Sequence, residues 1–433
     1  MLHDPSHVTP LPVEEEITLP QADKDILRKL GEAYIEIGKK DAQTAKAKLW
    51  RSLNDLKSKR PMVWINEIPW HEMNVDDELT LTCVHPWARE LETELRRTIY
   101  QARHMPGDMV VDDFFSCQKV FHSTDFGILE KVETAHTDDE NEIYSRHFEI
   151  QIKEPEDILK IKMPKITYLE KATQYRYAAM CDLFDGIAEV KLTGQTHIWY
   201  TPWDFLVRWW GVQEAMMDLV MRPEMVHEAY ERMVDAWMTE LDQLDEQNLL
   251  SLDNNNTRIG SGGYGYVSDL PGADYDSTHV HPHNMWGCSN AQIFSSVSPN
   301  MHWEFAVEHD MRWLKRFGLT YYGCCEPLDS KAEVLRRIPN LRKVSVSPWC
   351  DTARAVSNLG ASYVMSRKPN PAIFTAKNLD LAEAEKQLRE FLDAAKGGHV
   401  ELIMKDISTV SYAPQNLWQW EKLAMRLAEE YAT

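Results

Sequence analysis

The sequence predicts an α/β fold, a single (β/α)8 (TIM) barrel with N-terminal helices and an inserted lid or hairpin region, on three observations. From Leu319 to Met404 short β-favouring runs alternate with amphipathic helical stretches, the pattern of parallel strands joined by crossover helices. The chain has 433 residues, and a barrel of this kind takes about 250 before insertions. Hydrophobic residues make up 43% and charged residues 27%, the balance of a chain that buries a large core.

Taken in order, residues 1–58 read as an N-terminal arm followed by helices. Pro5, Pro10, Pro12 and Pro20 and the acidic Glu14-Glu15-Glu16 mark the arm, and apolar residues at helical spacing from Asp23 to Leu56 mark two helices. Residues 59–433 form the barrel. Its first strand is Pro61–Ile65, which ends in the polar and aromatic cluster Asn66-Glu67-Ile68-Pro69-Trp70-His71. The stretch 105–153, broken by Thr137-Asp138-Asp139-Glu140, reads as an insertion. Asp182–Thr193 supplies another strand. A long helical region follows over Gln213–Asn248, with Met217, Val220, Met221, Met225, Met233, Trp237 and Leu241 as its apolar stripe. The closing rhythm is Leu319–Gly323, helix Lys331–Ile338, Lys343–Val346, helix Thr352–Leu359, Ser362–Met365, helix Asp380–Ala395 and His399–Met404.

Composition excludes several functions. A formal charge of −21 repels a polyanion, and no basic stripe is interleaved with aromatics, so nucleic acid is not expected. No apolar run approaches the ~20 residues of a membrane span, and the start lacks the basic and apolar parts of a signal peptide. A cytoplasmic protein is expected. Seven cysteines without scaffold spacing read as free thiols or metal ligands.

Adjacent Cys324 and Cys325 lie at a strand's C-terminal end, where barrels place reactive side chains, and strand alternation points only one of them into the mouth. Zinc accepts thiolate, imidazole and carboxylate, so a metal-bound thiolate competes with a pair of buried small hydrophobes. His279, His281 and His283 alternate and share one face of an extended segment, as a metal site or a general acid or base requires, or they sit in a surface loop. The run Gly260-Ser261-Gly262-Gly263-Tyr264-Gly265 lacks the lysine and strand context of phosphate and dinucleotide loops and reads as a flexible loop or lid. His197-Ile198-Trp199-Tyr200-Thr201-Pro202-Trp203 forms either an aromatic pocket wall or core.

Several segments together resemble the uroporphyrinogen decarboxylase superfamily over residues 180–433. They are Gly211–Leu219 with Arg222–His227, Ser298-Pro299-Asn300-Met301, Tyr322-Gly323-Cys324-Cys325-Glu326, Pro348-Trp349-Cys350-Asp351 and Pro414–Leu417. Decarboxylases of that superfamily carry an arginine motif near the first strand. Here Asn66-Glu67-Ile68-Pro69-Trp70 stands instead, with a carboxylate that would repel a tetrapyrrole acid. The resemblance therefore implies the corrinoid-dependent methyltransferase branch, such as the methyltransferase components of O-demethylase systems. The substrate would be a small methylated compound, with methoxylated aromatics as candidates, and the methyl acceptor a corrinoid (cobalamin) carried by a partner protein.

The same likeness favours Cys324 as the zinc ligand, and Cys288, by its barrel position, and Cys325, by its place beside Cys324, are further candidate ligands. Tyr322 stands where that branch has histidine, and Lys405-Asp406 where it has its last cysteine, so Glu326, Cys350 and Asp406 enter as replacements. The expected catalytic groups are Tyr322, Glu326 and His283, and the expected substrate contacts Trp64, Glu67, Trp70, His197, Trp199 and Trp286. A homo-oligomer is compatible with all of this. Two alternatives stay open. One is a decarboxylase or lyase on a non-tetrapyrrole acid, using Arg367 and Lys368; the other is a non-catalytic corrinoid- or partner-binding barrel.

Overall fold

The structure is a computed structural model and describes residues 14–135 and 145–432. Most of the proline-rich arm and the acidic Thr137–Glu140 stretch lie outside the described residues. In chain order the strands are β1 (Met62–Ile65), β2 (Phe115–Gln118), β3 (Phe121–Ser123), β4 (Val132–Ala135), β5 (Ser145–Phe148) and β6 (Ile166–Tyr168). The remaining six are β7 (Val190–Thr193), β8 (Trp286–Ser289), β9 (Leu319–Tyr322), β10 (Leu341–Val346), β11 (Val364–Arg367) and β12 (His399–Met404).

Six of these form one sheet in the order β1-β12-β11-β10-β9-β8, and every pair in it for which a register is defined is parallel. The first strand thus lies beside the last. A separate parallel ladder joins β2 to β7, and Gln195, just beyond β7, bridges in parallel to Leu250. The α/β class expected from the alternating pattern holds. Within 105–153, β2 belongs to the parallel ladder with β7, while β4 and β5 form an antiparallel hairpin and β3 pairs antiparallel with β6.

Helices Gln21–Gly38 and Asp41–Asn54 precede β1 as expected. The long helical region is two helices, Val212–Met221 and Pro223–Glu246. Pro223 cannot donate a backbone hydrogen bond, which makes it a natural first residue for the second helix. Only that second helix buries its apolar stripe, through Met225, Met233, Trp237 and Leu241. Met217, Val220 and Met221 are 56%, 72% and 71% exposed, so the core reading fails for them.

Side-chain alternation divides the sheet into two faces. Val400, Leu402 and Met404 of β12 join the large core that includes Leu388, Phe391 and Trp420 of the helices Leu381–Ala394 and Gln415–Glu430. Ile403 turns the other way and packs with Trp50, Met62, Tyr264 and Val364. Tyr264 belongs to the glycine-rich run, and Ile259 to Val267 are all buried. The segment read as a flexible loop is therefore a filler packed against the second face. Glycine is required there by space: a Cβ on Gly263 would overlap the Trp50 ring, and Gly260 combines φ +56° with direct contact to the Tyr321 ring.

Candidate functional site

The strands' C-terminal ends carry a compact cluster of opposite charges around two thiols. Gly323 leaves β9 with φ +97°, which turns the chain so that Cys324 and Cys325 sit side by side with their sulfurs 3.6 Å apart. Lys405, next after β12, brings its Nζ to 3.9 Å from Cys324 Sγ and 2.5 Å from Asp406 Oδ2. Asp406 Oδ2 also receives Cys325 Sγ at 3.6 Å. From the end of β1, Glu67 accepts from the Asp406 backbone N–H at 3.1 Å and pairs with Lys405 at 3.5 Å and Arg258 at 2.7 Å.

The electrostatics follow from this packing. The Cys325 thiol hydrogen-bonds to Cys324 and, against the cost of burial and with help from Lys405, holds the Cys324 thiol below its ordinary value. The same bond, together with burial, pushes the Cys325 thiol up, so of the two sulfurs Cys324 is the one that ionises more readily. Burial opposes a charge on Lys405, but Cys324, Glu67 and Asp406 outweigh it and hold the ammonium above its ordinary value. Glu67 is lowered to about 2, because Arg258 and Lys405 overcome the penalty of burial. Cys324 is 4% exposed, whereas the Asp406 side chain is 50% exposed, so the cluster has a buried thiol end and an open carboxylate end.

One more polar group lies at this end of the sheet. Asn290 follows β8 and is fully buried, and neither atom of its side-chain amide has a hydrogen-bond partner among the described residues. A buried, unpaired amide is costly and marks a place for a water or a ligand. Sequence reasoning missed it, because nothing in the spelling Ser289-Asn290-Ala291 separates it from an ordinary turn.

Beneath the thiols, the glycine-rich filler occupies the space expected to be lined by aromatics. Trp64 stacks at a tilt on Tyr264 with centroids 4.4 Å apart. Trp286 Nε1 donates to Gly265 O at 2.9 Å. His197 Nε2 accepts from Gly260 N at 2.9 Å, and that acceptor role assigns the ring proton to Nδ1, 3.6 Å from Asp253. Trp199 packs against the cluster of Ile259, Trp286 and Tyr321. These four predicted substrate contacts are thus brought together, with the protein's own loop between them. Lys368 joins the same layer: its Nζ donates to Tyr321 OH at 2.8 Å and to Ser366, and burial lowers it to about 7.

Other expected residues lie elsewhere. Tyr322 faces the helices: its hydroxyl is 2.6 Å from His302 Nε2, whose Nδ1 is 2.8 Å from Lys331 Nζ. Glu326 is fully buried and both of its oxygens accept backbone N–H groups, from Ala291 at 3.1 Å and Cys324 at 2.9 Å. It clips the loop after β8 to the loop after β9. Cys288 pairs with Tyr321 across the ladder and hydrogen-bonds to Ile198 O at 3.4 Å. It therefore sits within the ladder, level with Tyr321 and not with the loop that carries Cys324. Cys350 is buried against Ser347. Trp70 turns away from the thiols onto helix Pro86–His104, edge-on to Tyr100 and under the Arg97 guanidinium. Arg367 faces the helices, donating to Ser347 O and lying over Phe391. His283 corrects most clearly: it precedes β8, at the opposite end of the parallel sheet from Cys324, and its side chain is 53% exposed beside Asp274.

Among the described residues no helix is long and apolar enough to cross a membrane. No family model matches the chain, and no curated protein matches it. Among solved structures, a methyltransferase from Methanosarcina mazei aligns over 89% of this chain and 98% of its own, with 10% identity and a TM-score of 0.47. At that level of likeness the chemistry has to come from this chain's own side chains.

Proposed function

We propose that the protein is a methyltransferase that removes a methyl group from a small methylated substrate, a methoxylated aromatic being the leading candidate, and passes it to the corrinoid of a partner protein. The observation that carries this reading is the thiol pair Cys324 and Cys325 beside Asp406. Two thiolates on one tetrahedral zinc, each at ~2.3 Å, are about 3.8 Å apart, and a thiolate and a carboxylate oxygen about 3.5 Å. The separations here are 3.6 Å for each of the two pairs that include Cys325, which suits two ligands at a time, and Cys324 and Asp406, with Lys405 between them, would have to draw together for all three to hold one ion. When bound, the metal supplies Lewis-acid stabilisation of the leaving oxygen.

The chain's own groups have defined parts in this reading. Cys324, Cys325 and Asp406 hold the ion, and Glu67 fixes Asp406 and Lys405. The Lys405 ammonium stands against Cys324 and Asp406 and would have to yield its place for these residues to hold an ion. Lys368, at about 7 because of burial, is the group placed to give a proton near neutral pH. The substrate sits above the glycine-rich filler, against Asn290.

A decarboxylase or lyase acting on a non-tetrapyrrole acid is favoured by one observation, the inward placement of Lys368. It is weakened by the outward placement of Arg367.

The test is methyl transfer to reduced cobalamin, screened over methoxylated aromatics and simple methyl donors, with elemental analysis of wild type, Cys324→Ala and Cys325→Ala. Turnover that needs both thiols, with one zinc lost in each variant, supports the reading. A metal-free active wild type removes zinc from it. Carbon dioxide release from an acid, without methyl transfer, replaces it with the lyase, and ligand binding without any turnover with a binding protein.

A further inference from the structure

We propose a second metal site, formed by Asp245, His279 and His281 at the strand-start end of the sheet, that takes one zinc-like divalent cation and ties a helix to the segment feeding β8. Asp245 lies in the last turn of the 24-residue helix Pro223–Glu246. Its Oδ1 is 3.0 Å from His279 Nε2 and 2.8 Å from His281 Nδ1. His279 Nε2 is also 2.8 Å from the Asp245 backbone carbonyl. The two imidazoles lie nearly parallel with centroids 4.2 Å apart, and the His283 ring continues the stack at 5.5 Å.

Three features favour a cation over a simple hydrogen-bonded group. All three donor atoms lie within 4.8 Å of one another, so a single ion at ~2.0–2.2 Å from each is reached by small side-chain rotations. Two imidazole nitrogens and one carboxylate oxygen are a donor set that zinc accepts, leaving a fourth position for water or His283. The carbonyl end of a long helix carries partial negative charge, which adds to that of Asp245 at the place where the ion would sit. The side chains are 31%, 40% and 20% exposed for His279, His281 and Asp245, so an ion can enter from solvent without unfolding. His283 leads into Trp286 at the start of β8, whereas Cys324 follows the end of the parallel strand β9. The two sites are therefore separated by at least a strand's length, about 13 Å, and load independently.

Titration calorimetry with zinc chloride, on untagged protein stripped with chelator, tests this. A Cys324→Ala/Cys325→Ala background removes binding at the thiols. One saturable equivalent is expected in that background, weakened about tenfold or more by His279→Ala, His281→Ala or Asp245→Asn. Wild-type protein supplies a second readout that needs no folded variant. Zinc should protect His279 and His281 from diethyl pyrocarbonate, followed by peptide mass spectrometry, while His147 continues to react. Absence of a saturable equivalent, binding unchanged by the histidine variants, or modification of both histidines at the same rate with and without zinc each overturns the proposal.

Discussion

Replacing Lys343 by methionine tests whether the filler beneath the thiols is held by a buried ion pair. Lys343 Nζ lies 3.0 Å from Glu401 Oε2, with both side chains fully buried. Lys343 also donates to Tyr264 O at 3.0 Å, and Glu401 Oε1 accepts from Gly263 N at 2.9 Å. At an effective dielectric of about 20, two unit charges 3.0 Å apart attract by about 5.5 kcal/mol. Removing one partner of such a pair costs about 3–5 kcal/mol, because the other charge is left in the interior. With ~2.1 cal/mol/K of unfolding entropy per residue over 433 residues, the melting temperature should fall by about 3–5 °C at pH 7.

The pH dependence fixes the cause. In the wild type, Lys343 and Lys368 outweigh burial and hold the Glu401 carboxyl below its ordinary value. Its stabilising contribution is present above the unfolded carboxylate value and is lost only as pH falls through the lower folded one. In Lys343→Met, burial dominates and raises the folded value above the unfolded one, so the variant gains in relative terms as pH falls from 7 through the carboxylate range. Thermal melts of both proteins at steps from pH 7 to pH 4.5 should show the gap closing. The double variant Lys343→Met/Glu401→Gln should recover at least half of the loss at pH 7. A gap under 1 °C, or one that stays constant across that range, refutes the reasoning.

Three further outcomes are expected. Lys405→Met should move the pH profile for iodoacetamide alkylation of Cys324 to higher pH, since Lys405 helps to hold that thiol down; an unmoved profile, read by peptide mass spectrometry, means that the ammonium does not act on the sulfur. Gly260→Ala should lower stability by about 2 kcal/mol or more through strain at positive φ and overpacking on Tyr321, whereas a neutral change in urea unfolding would mean that the filler has room to move. Glu326→Gln keeps the shape but leaves one of the Ala291 and Cys324 N–H groups without its acceptor, so a loss of about 1–3 kcal/mol is expected, and full stability with lost turnover would return Glu326 to a chemical role.

The sequence was most legible where local periodicity decides the structure. Helix Thr352–Leu359 and strand His399–Met404 fall where their patterns place them, and the adjacent thiols do lie at a strand's C-terminal end. What failed depended on facing and on contacts distant in the chain. Tyr322 and Cys324 are two residues apart, and Gly323 at φ +97° breaks the alternation that would have put them on one side. The three histidines were correctly read as sharing a face, but which end of the sheet they occupy depends on where β8 begins. Met217, Val220 and Met221 follow helical spacing yet face outward, because spacing marks a stripe without saying what covers it. The pairing of Glu67 with Arg258 spans 191 residues and leaves no local trace.

The glycine-rich filler also governs when this protein can finish folding. Its anchoring bonds reach 60 residues ahead to Tyr321, 79 to Lys343 and 138 to Glu401. A nascent chain emerging from its N-terminus therefore carries Ile259–Val267 without these anchors until strand His399–Met404 has been made. Contacts of such separation slow folding and prolong the exposure of partly assembled sheet. Truncation ahead of His399 would remove the Glu401 anchor and leave the interior half built, so protease resistance should appear only once strand His399–Met404 is in place.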